Sequence, residues 1–256
     1  MRMAIDKAKV NGVASITVHY QSHIGRLGDY PTMAIQEGMI AMVTADSGAG
    51  PKAVAPFAGR ARRLGTNPIC MGVPSDLDGP VLLDMATSAV AAGKIALARN
   101  RRESVPEGWI IDKDGNPTTN PEDYRAGGAI LPVGADQGHK GYGLSFMVEV
   151  FSGLLTGLGF GLDPLARHND GCFITVYNVE HFRPLADFKK EVREFAEFVK
   201  TSPPSAGFSE VLYPGEIEYR TELTRRRDGI DVEEDTWQQI TDMMNELSVA
   251  ETVGQP

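Results

Sequence analysis

One stretch of the sequence, residues 134–161, constrains the fold more than any other. It reads GADQGHKGYGLSFMVEVFSGLLTGLGFG, in which glycines surround His139 and Lys140 and an apolar run follows over residues 142–155. The apolar residues recur with nearly the period of a helix, which predicts a buried helix after a glycine-rich turn. The residues expected on the buried side of this helix are Leu144, Met147, Val148, Phe151, Leu154 and Leu155.

The turn before this helix has two interpretations. A glycine-rich turn that leads into a helix presents free backbone N–H groups and the positive end of the helix dipole. Beside Lys140, these groups suit a phosphate or a carboxylate. A tight turn that carries two solvated basic residues explains the same letters equally well.

Composition limits the class of protein. The 256 residues allow one large domain or two smaller ones, and the net charge of −9 argues against a nucleic-acid-binding surface. Cys70 and Cys172 lie in apolar surroundings without metal-ligand spacing, which favours buried free thiols in a reducing compartment. No apolar run is long enough to span a membrane, and residues 1–10 lack the apolar core of a secretory signal. We therefore expect a cytoplasmic protein with neither a nucleic-acid nor a membrane partner.

Strands and helices alternate along the chain, which predicts an α/β or α+β class with a mixed sheet. Strands are expected at residues 14–19, 39–43, 69–73, 80–83, 171–176 and 211–218, and further helices at 1–9, 33–38, 89–100, 183–201, 219–227 and 233–247. Thr87 or Ser88 is the expected N-cap of the helix over 89–100. Residues 46–65 and 106–128 are rich in turn signals, so we expect an irregular connection and a surface excursion there.

Three side chains are candidates for chemistry, and each has a plainer explanation. His23 stands between a strand and a helix, where a histidine can act as an acid or base, or simply fix a loop by hydrogen bonding. Lys140 can pair with an anion or lie on the surface. Asp84 ends an apolar strand, a common position for ligand binding, or it caps the next helix. The chain has no GxGxxG and no P-loop, so the standard Rossmann fingerprint is absent.

Six stretches, taken in order, closely resemble the malate/L-lactate dehydrogenase family. They are QSHIGRLGDY, RRLGTNPICMGVP, PVLLDMATSAVAAGKIALARN, GWIIDKDGNPTTNP, GAILPVGADQGHKGYGLSFMVEVFSGLLTG and LYPGEIE. This resemblance implies a non-Rossmann NAD(P)-binding fold, NAD or NADP as the cofactor, and a homodimer. It further implies an enzyme that acts on CH–OH donors, interconverting a malate- or lactate-like 2-hydroxy acid and its 2-oxo acid by hydride transfer.

The same resemblance implies roles for individual residues. Four segments are expected to bind the cofactor: His23, Ile24, Gly25, Arg26 and Leu27; Asp84, Met85 and Ala86; His139 and Lys140; and Leu212, Tyr213, Pro214, Gly215 and Glu216. Thr66 is similar to a substrate-contacting position, and His23 to a proton acceptor. One interwoven catalytic unit over residues 1–256 is expected, with a cofactor-binding portion over about 14–165 and a C-terminal helical portion over about 183–256.

The chain departs from the family pattern in two places. It has no N-terminal Ser-His-Gly motif with a nearby arginine, and Ala92-Gly93 stands where many relatives have Arg-Gly. The expected unit therefore lacks its N-terminal part, and its chemical site is less complete than its cofactor site. One alternative is consequently a truncated, inactive homologue that binds nucleotide or dimerises. Another is a module that binds an unrelated anion at the turn over 134–140.

Overall fold

The computed structural model describes residues 1–46, 48–163 and 170–249. The strands are β1 (Val13–Gln21), β2 (Met39–Asp46), β3 (Ile69–Val73), β4 (Val81–Met85), β5 (Ile110–Ile111), β6 (Pro117–Thr118), β7 (Ala129–Ile130) and β8 (Asp170–Asn178). The helices are α1 (Arg2–Asn11), α2 (Asp29–Gln36), α3 (Ala92–Asn100), α4 (Pro121–Arg125), α5 (Gly138–Glu149), α6 (Leu185–Lys200), α7 (Glu216–Asp228) and α8 (Glu234–Glu246). A π-helical turn, Val150–Leu154, continues α5.

The main sheet has the strand order β1-β8-β2-β3-β4, and all of its neighbouring strands are antiparallel. The predicted α and β content is confirmed, whereas the prediction of a mixed sheet is wrong. Alternating strands and helices give parallel neighbours only when a helix connects two adjacent strands. Here β8 arrives from far along the chain and separates β1 from β2, so the helix between those two strands does not join neighbours.

The two faces of β2 meet different surroundings. Residues Met39, Ala41, Val43 and Ala45 point into an apolar core with α1 and α2, where Ala4, Ala8 and Ala34 allow close packing. The alternate residue Thr44 points to the other face, where the π-helical turn packs. This alternation is the two-residue period of a strand covered on both sides.

Residues 106–128 form more than the expected surface excursion. The small antiparallel sheet β6-β5-β7 closes a second core, in which Ile110 and Ile130 are fully buried. Val54 and Leu64, from the stretch expected to be irregular, also belong to this core and pair with each other through a β-bridge. Strands of two residues are too short to show a period, which is why only their turns were predicted.

Helix α5 differs from the helix predicted over residues 142–155 in its starting position and in the face that it buries. It begins at Gly138, so His139 and Lys140 lie in its first turn rather than in the turn before it. Its buried residues are mainly small or polar, namely Gly138, Gly141, Ser145, Val148 and Glu149. Of the expected core residues, Val148 is buried and Phe151 is half-buried, whereas Leu144, Met147, Leu154 and Leu155 are exposed.

Close backbone packing explains the orientation of α5. A Cβ on Gly141 would lie 2.0 Å from the backbone oxygen of Val133, so only glycine permits this approach. On the following π-helical turn, Ser152 faces Thr44 of β2 at 2.7 Å between the hydroxyl oxygens. The helix therefore packs through its small residues, and its larger apolar side chains point away.

Two other local predictions are wrong. Neither Thr87 nor Ser88 caps α3, because their hydroxyls donate to nearby carbonyls and the helix begins later, at Ala92. The strand expected over 211–218 is a turn that leads directly into α7. The strand predicted at 69–73 is confirmed at both ends.

The chain divides into two compact units, Met1–Glu216 and Ile217–Pro256. Helix α8 and nearly all of α7 belong to the second unit, and the expectation of one interwoven catalytic unit stays a prediction. Cys70 and Cys172 are buried free thiols, as predicted, and burial raises the pKa of each to about 12. Within the described ranges, every helix is too short or too polar to cross a membrane.

Candidate active site

A cavity of about 200 Å³ lies where the loop after β1, the end of β2 and the turn before β3 meet. Its lining includes His23, Ile24, Gly25, Leu27, Asp46, Thr66, Asn67 and Asp170. The structure thus brings the first predicted cofactor segment and the predicted substrate residue Thr66 to the same cavity. Their roles stay predictions.

Hydrogen bonds fix the loop that carries His23. The Gly25 N–H donates to Nδ1 of His23 at 3.0 Å, and the Tyr30 hydroxyl donates to the backbone oxygen of Ile24 at 3.0 Å. Gly25 has φ of +81°, a conformation that side chains other than hydrogen disfavour. Because Nδ1 accepts a hydrogen bond, the neutral imidazole carries its proton on Nε2. Nε2–H is then a hydrogen-bond donor, and Nδ1 is the basic nitrogen of the ring.

The second predicted cofactor segment is tied to the first through Asp84. Its Oδ2 accepts a hydrogen bond of 2.8 Å from the Gly28 N–H and lies 3.9 Å from Nε of Arg26. The Arg26 guanidinium also donates to Asp29 at 3.0 Å. Asp84 therefore orients the loop that contains His23, and it does not cap α3.

The fourth predicted segment lies against the start of β4. The Pro214 carbonyl accepts a hydrogen bond of 2.9 Å from the Leu82 N–H. Glu216 closes the turn by accepting the Tyr213 N–H at 3.2 Å, and it pairs with Lys200 at 2.6 Å. The second segment therefore begins on strand β4, and the fourth segment is hydrogen-bonded to the same strand.

The third predicted segment lies apart from this cavity. The His139 ring makes an edge contact with Phe57, with 5.6 Å between the ring centroids. Lys140 is exposed, and no ion-pair partner for it occurs within residues 1–46, 48–163 and 170–249. Gly138, which starts the same helix, lines a larger cavity of about 1070 Å³.

Four buried polar residues beside the first cavity were missed by the sequence analysis. They form a group, here called the buried cluster, that consists of Asp46, Lys52, Asn67 and Glu149. The Lys52 Nζ lies 2.7 Å from Glu149 Oε1 and 3.3 Å from Asp46 Oδ1, and Asn67 Nδ2 donates to Glu149 Oε2 at 2.9 Å. Burial and the charge of Glu149 raise the pKa of Asp46 to about 7.

The members of the buried cluster are far apart in sequence, which explains why they were missed. Lys52 and Glu149 are 97 positions apart, and Asn67 and Glu149 are 82 apart. Asp46 and Lys52 stand in a stretch whose glycines and prolines predict only turns. One signal was present, because Glu149 is the single charged residue in the apolar run over 142–155. A charge in a buried helix requires a partner.

The comparisons with known proteins agree with the resemblance in the motifs. The family model described as malate/L-lactate dehydrogenase matches residues 1–241. The chain is 38% identical to malate dehydrogenase of Pyrococcus horikoshii, over 97% of this chain and 69% of that protein. It is 39% identical to L-sulfolactate dehydrogenase of Methanothermobacter thermautotrophicus, over 97% of this chain and 71% of that protein.

A solved structure supports the same assignment. Malate dehydrogenase from Entamoeba histolytica superposes with a TM-score of 0.89 at 33% identity, over 100% of this chain and 73% of that one. Sequence and fold therefore agree along nearly the whole chain. The protein belongs to the malate/L-lactate dehydrogenase family.

Proposed function

We propose that this protein is an NAD(P)-dependent oxidoreductase that interconverts a 2-hydroxy acid and the corresponding 2-oxo acid. The observation that carries the proposal is the cavity that His23 and Thr66 line together. Its volume suits a small acid and is far below that of a dinucleotide. Relatives are named malate, L-sulfolactate and hydroxycarboxylate dehydrogenases, which supports a hydroxy acid as the substrate.

The residues of the predicted cofactor segments fit a nicotinamide dinucleotide. Lys140 is an exposed cation in the first turn of α5, and the side chain of the N-cap residue Gln137 makes no capping hydrogen bond. Such a helix end suits a phosphate. Arg26, whose side chain is half exposed, offers a second cation in the first segment. A nicotinamide held by these residues would supply hydride transfer to and from substrate C2.

His23 is the proposed acid and base of the reaction. The unprotonated ring nitrogen takes the proton from the 2-hydroxyl group during oxidation, and the resulting imidazolium returns it to the 2-oxo oxygen during reduction. With the proton on Nε2, this basic nitrogen is Nδ1, which the Gly25 N–H must release to the substrate hydroxyl. A positioned group of this kind contributes roughly 10²- to 10⁴-fold to the rate. Thr66, on the same cavity, donates a hydrogen bond to the substrate and orients it.

The test combines cofactor binding with turnover. NADH and NADPH are titrated by nicotinamide emission, and reduction of several 2-oxo acids is then assayed. We expect saturable dinucleotide binding, turnover, and a His23→Ala variant that still binds NAD(P)H through the other cofactor segments but turns over roughly 10²- to 10⁴-fold more slowly. Full turnover by His23→Ala would remove His23 from the chemistry.

Two alternatives have distinct outcomes in the same test. An inactive homologue would bind the dinucleotide and turn over no acid. A module for an unrelated anion would bind inorganic phosphate as well as it binds NADH. The hydroxy-acid dehydrogenases among the relatives do not favour either alternative.

We further propose that the protein is a cytoplasmic homodimer. Support comes from the exposed apolar side chains of α5 and the turn after it, including Met147 and Leu155, which a second copy would cover. The free buried thiols Cys70 and Cys172 suit a reducing compartment. Light scattering should give twice the chain mass, and Leu155→Glu should lower it to that of the monomer.

A further inference from the structure

The buried cluster joins four separate parts of the chain beside the candidate active site. Asp46 ends β2, Lys52 lies in the following loop, Asn67 precedes β3, and Glu149 ends α5. The side chains of Lys52 and Asp46 are completely buried, and that of Glu149 is 10% exposed. Asp46 and Asn67 also line the cavity, so the cluster forms part of its wall.

The cluster contains more negative than positive groups. Lys52 supplies one cation against the carboxyl groups of Asp46 and Glu149, so full ionisation would leave one uncompensated buried charge. Burying an unbalanced charge is costly, which favours one proton held between the two carboxyl groups. Burial and the charge of Glu149 raise the pKa of Asp46 to about 7, in agreement with this count. Lys52 and the Gly48 N–H, at 2.7 Å from Asp46 Oδ2, oppose that rise.

Asn67 transmits this arrangement to the substrate side of the cavity. Its backbone has φ of +40°, a left-handed value that asparagine adopts more readily than most residues other than glycine. Asn67 Nδ2 donates to Glu149 and, at 3.1 Å, to the backbone oxygen of Ser145. On its other side, Thr87 Oγ1 donates to the backbone oxygens of Thr66 and Asn67. The Thr66-Asn67 turn is therefore held from α5 and from the segment after β4.

We propose that the buried cluster positions the Thr66-Asn67 turn, and that the proton shared by Asp46 and Glu149 sets the charge of the cavity wall that an anionic substrate meets. Glu149 and Lys52 are positioning residues in this scheme, since neither is assigned a contact with the substrate. With the proton bound, the cluster is neutral; after its loss, the cluster carries a charge of −1 and repels a carboxylate. This proposal rests on the proposed function, because it takes the ligand to be a 2-hydroxy or 2-oxo acid.

The test measures binding of an anion whose own charge is constant. Oxalate is a non-reactive analogue of a 2-oxo acid and is a dianion from pH 6 to 8, so calorimetry over this range reports on the protein alone. His23 and Asp170 also line the cavity, so a ligand there faces these groups as well as the cluster. The comparison is therefore made in a His23→Ala background, between that variant and His23→Ala/Glu149→Gln, both in the presence of NADH.

We expect oxalate to bind the His23→Ala variant about three- to tenfold more weakly at pH 8 than at pH 6, as expected for one added charge near the ligand. With Glu149→Gln added, Asp46 and Lys52 balance each other, and affinity should become independent of pH. A matched control, Glu103→Gln, removes an exposed carboxylate and should leave the pH dependence unchanged. The same pH dependence with and without Glu149 would overturn the proposal.

A second readout separates failure of this proposal from failure of the proposed function. If oxalate binds at no pH, the assignment of the substrate cavity is wrong. Thermal unfolding then tests the cluster alone, because proton binding by the folded protein changes stability with pH. The midpoint of Glu149→Gln should rise relative to that of the parent protein by a few degrees between pH 5 and pH 8. If the difference between the two unfolding midpoints did not change with pH, the proposal of a proton shared by Asp46 and Glu149 would be wrong.

Discussion

Strand β2 separates two kinds of protein interior. On one face, Met39, Ala41, Val43 and Ala45 pack among the apolar side chains of α1 and α2. On the other, Thr44 meets Ser152, and just beyond it Asp46 meets Lys52 and Glu149. Both faces are buried, but the first depends on shape and apolar area, whereas the second depends on particular partners. The two should therefore respond differently to mutation and to pH.

The largest effect is expected from removal of the buried cation. Lys52→Met leaves Asp46 and Glu149 without their counterion in a buried site. Removing one member of a buried ion pair costs about 3–5 kcal/mol. Urea unfolding should show this loss, and the loss should be greater at pH 8 than at pH 5, because protonation relieves the carboxyl groups.

A control for this prediction is Lys9→Met, which breaks an exposed pair with Glu37. The two side chains of that pair are 47% and 50% exposed. Exposed pairs contribute about 0–1 kcal/mol, so this variant should unfold nearly like the parent protein. An equal loss in both variants would mean that Lys52 contributes no more than a surface charge.

The apolar face should lose less stability, and the loss should not depend on pH. Val43→Ala removes two methyl groups from a side chain that is completely buried. The lost burial and the resulting void together cost about 2–3 kcal/mol. Urea unfolding at pH 5 and pH 8 should give the same difference from the parent protein. A loss that changed with pH would show that the two faces are coupled.

These two faces also differ in how well the sequence predicts them. The strand at 39–43 was predicted because apolar residues are continuous there, and β3 was predicted exactly from five residues bounded by prolines. The family could also be identified from six ordered stretches. Each of these signals is local, so neighbouring letters are sufficient to find it.

The polar face has no local signal. Whether Lys52 is a surface lysine or a buried counterion depends on Glu149, which lies 97 positions away. The same limitation explains the misplaced face of α5. The spacing of its large apolar residues predicts that they face the core. In the structure, close contact between Gly141 and the backbone of Val133 determines which face of α5 is buried. The cavity could be predicted only in part, through His23 and Thr66.

Asp46 should give the polar face a distinctive dependence of stability on pH. In the unfolded chain an aspartate ionises near pH 4, whereas in the folded protein the pKa of Asp46 is about 7. The folded protein therefore binds an extra proton between these values, and stability is lost as pH rises through this range. Asp46→Asn removes the titration, so its stability relative to the parent protein should improve by about 2–3 kcal/mol from pH 5 to pH 8. An unchanging difference would mean that Asp46 is ionised at pH 5.

The smallest change in stability should come from paired substitution of Thr44 and Ser152, which lie on the polar face of β2. Their hydroxyl oxygens lie 2.7 Å apart, and both side chains are buried. Thr44→Val or Ser152→Ala alone leaves one buried hydroxyl without its partner, at a cost of about 1–3 kcal/mol. The double variant removes both polar groups, so its free energy of unfolding should lie within about 1 kcal/mol of the parent value. If the losses of the single variants simply add in the double variant, the pair acts through packing rather than hydrogen bonding, and this part of the face resembles the apolar side of β2.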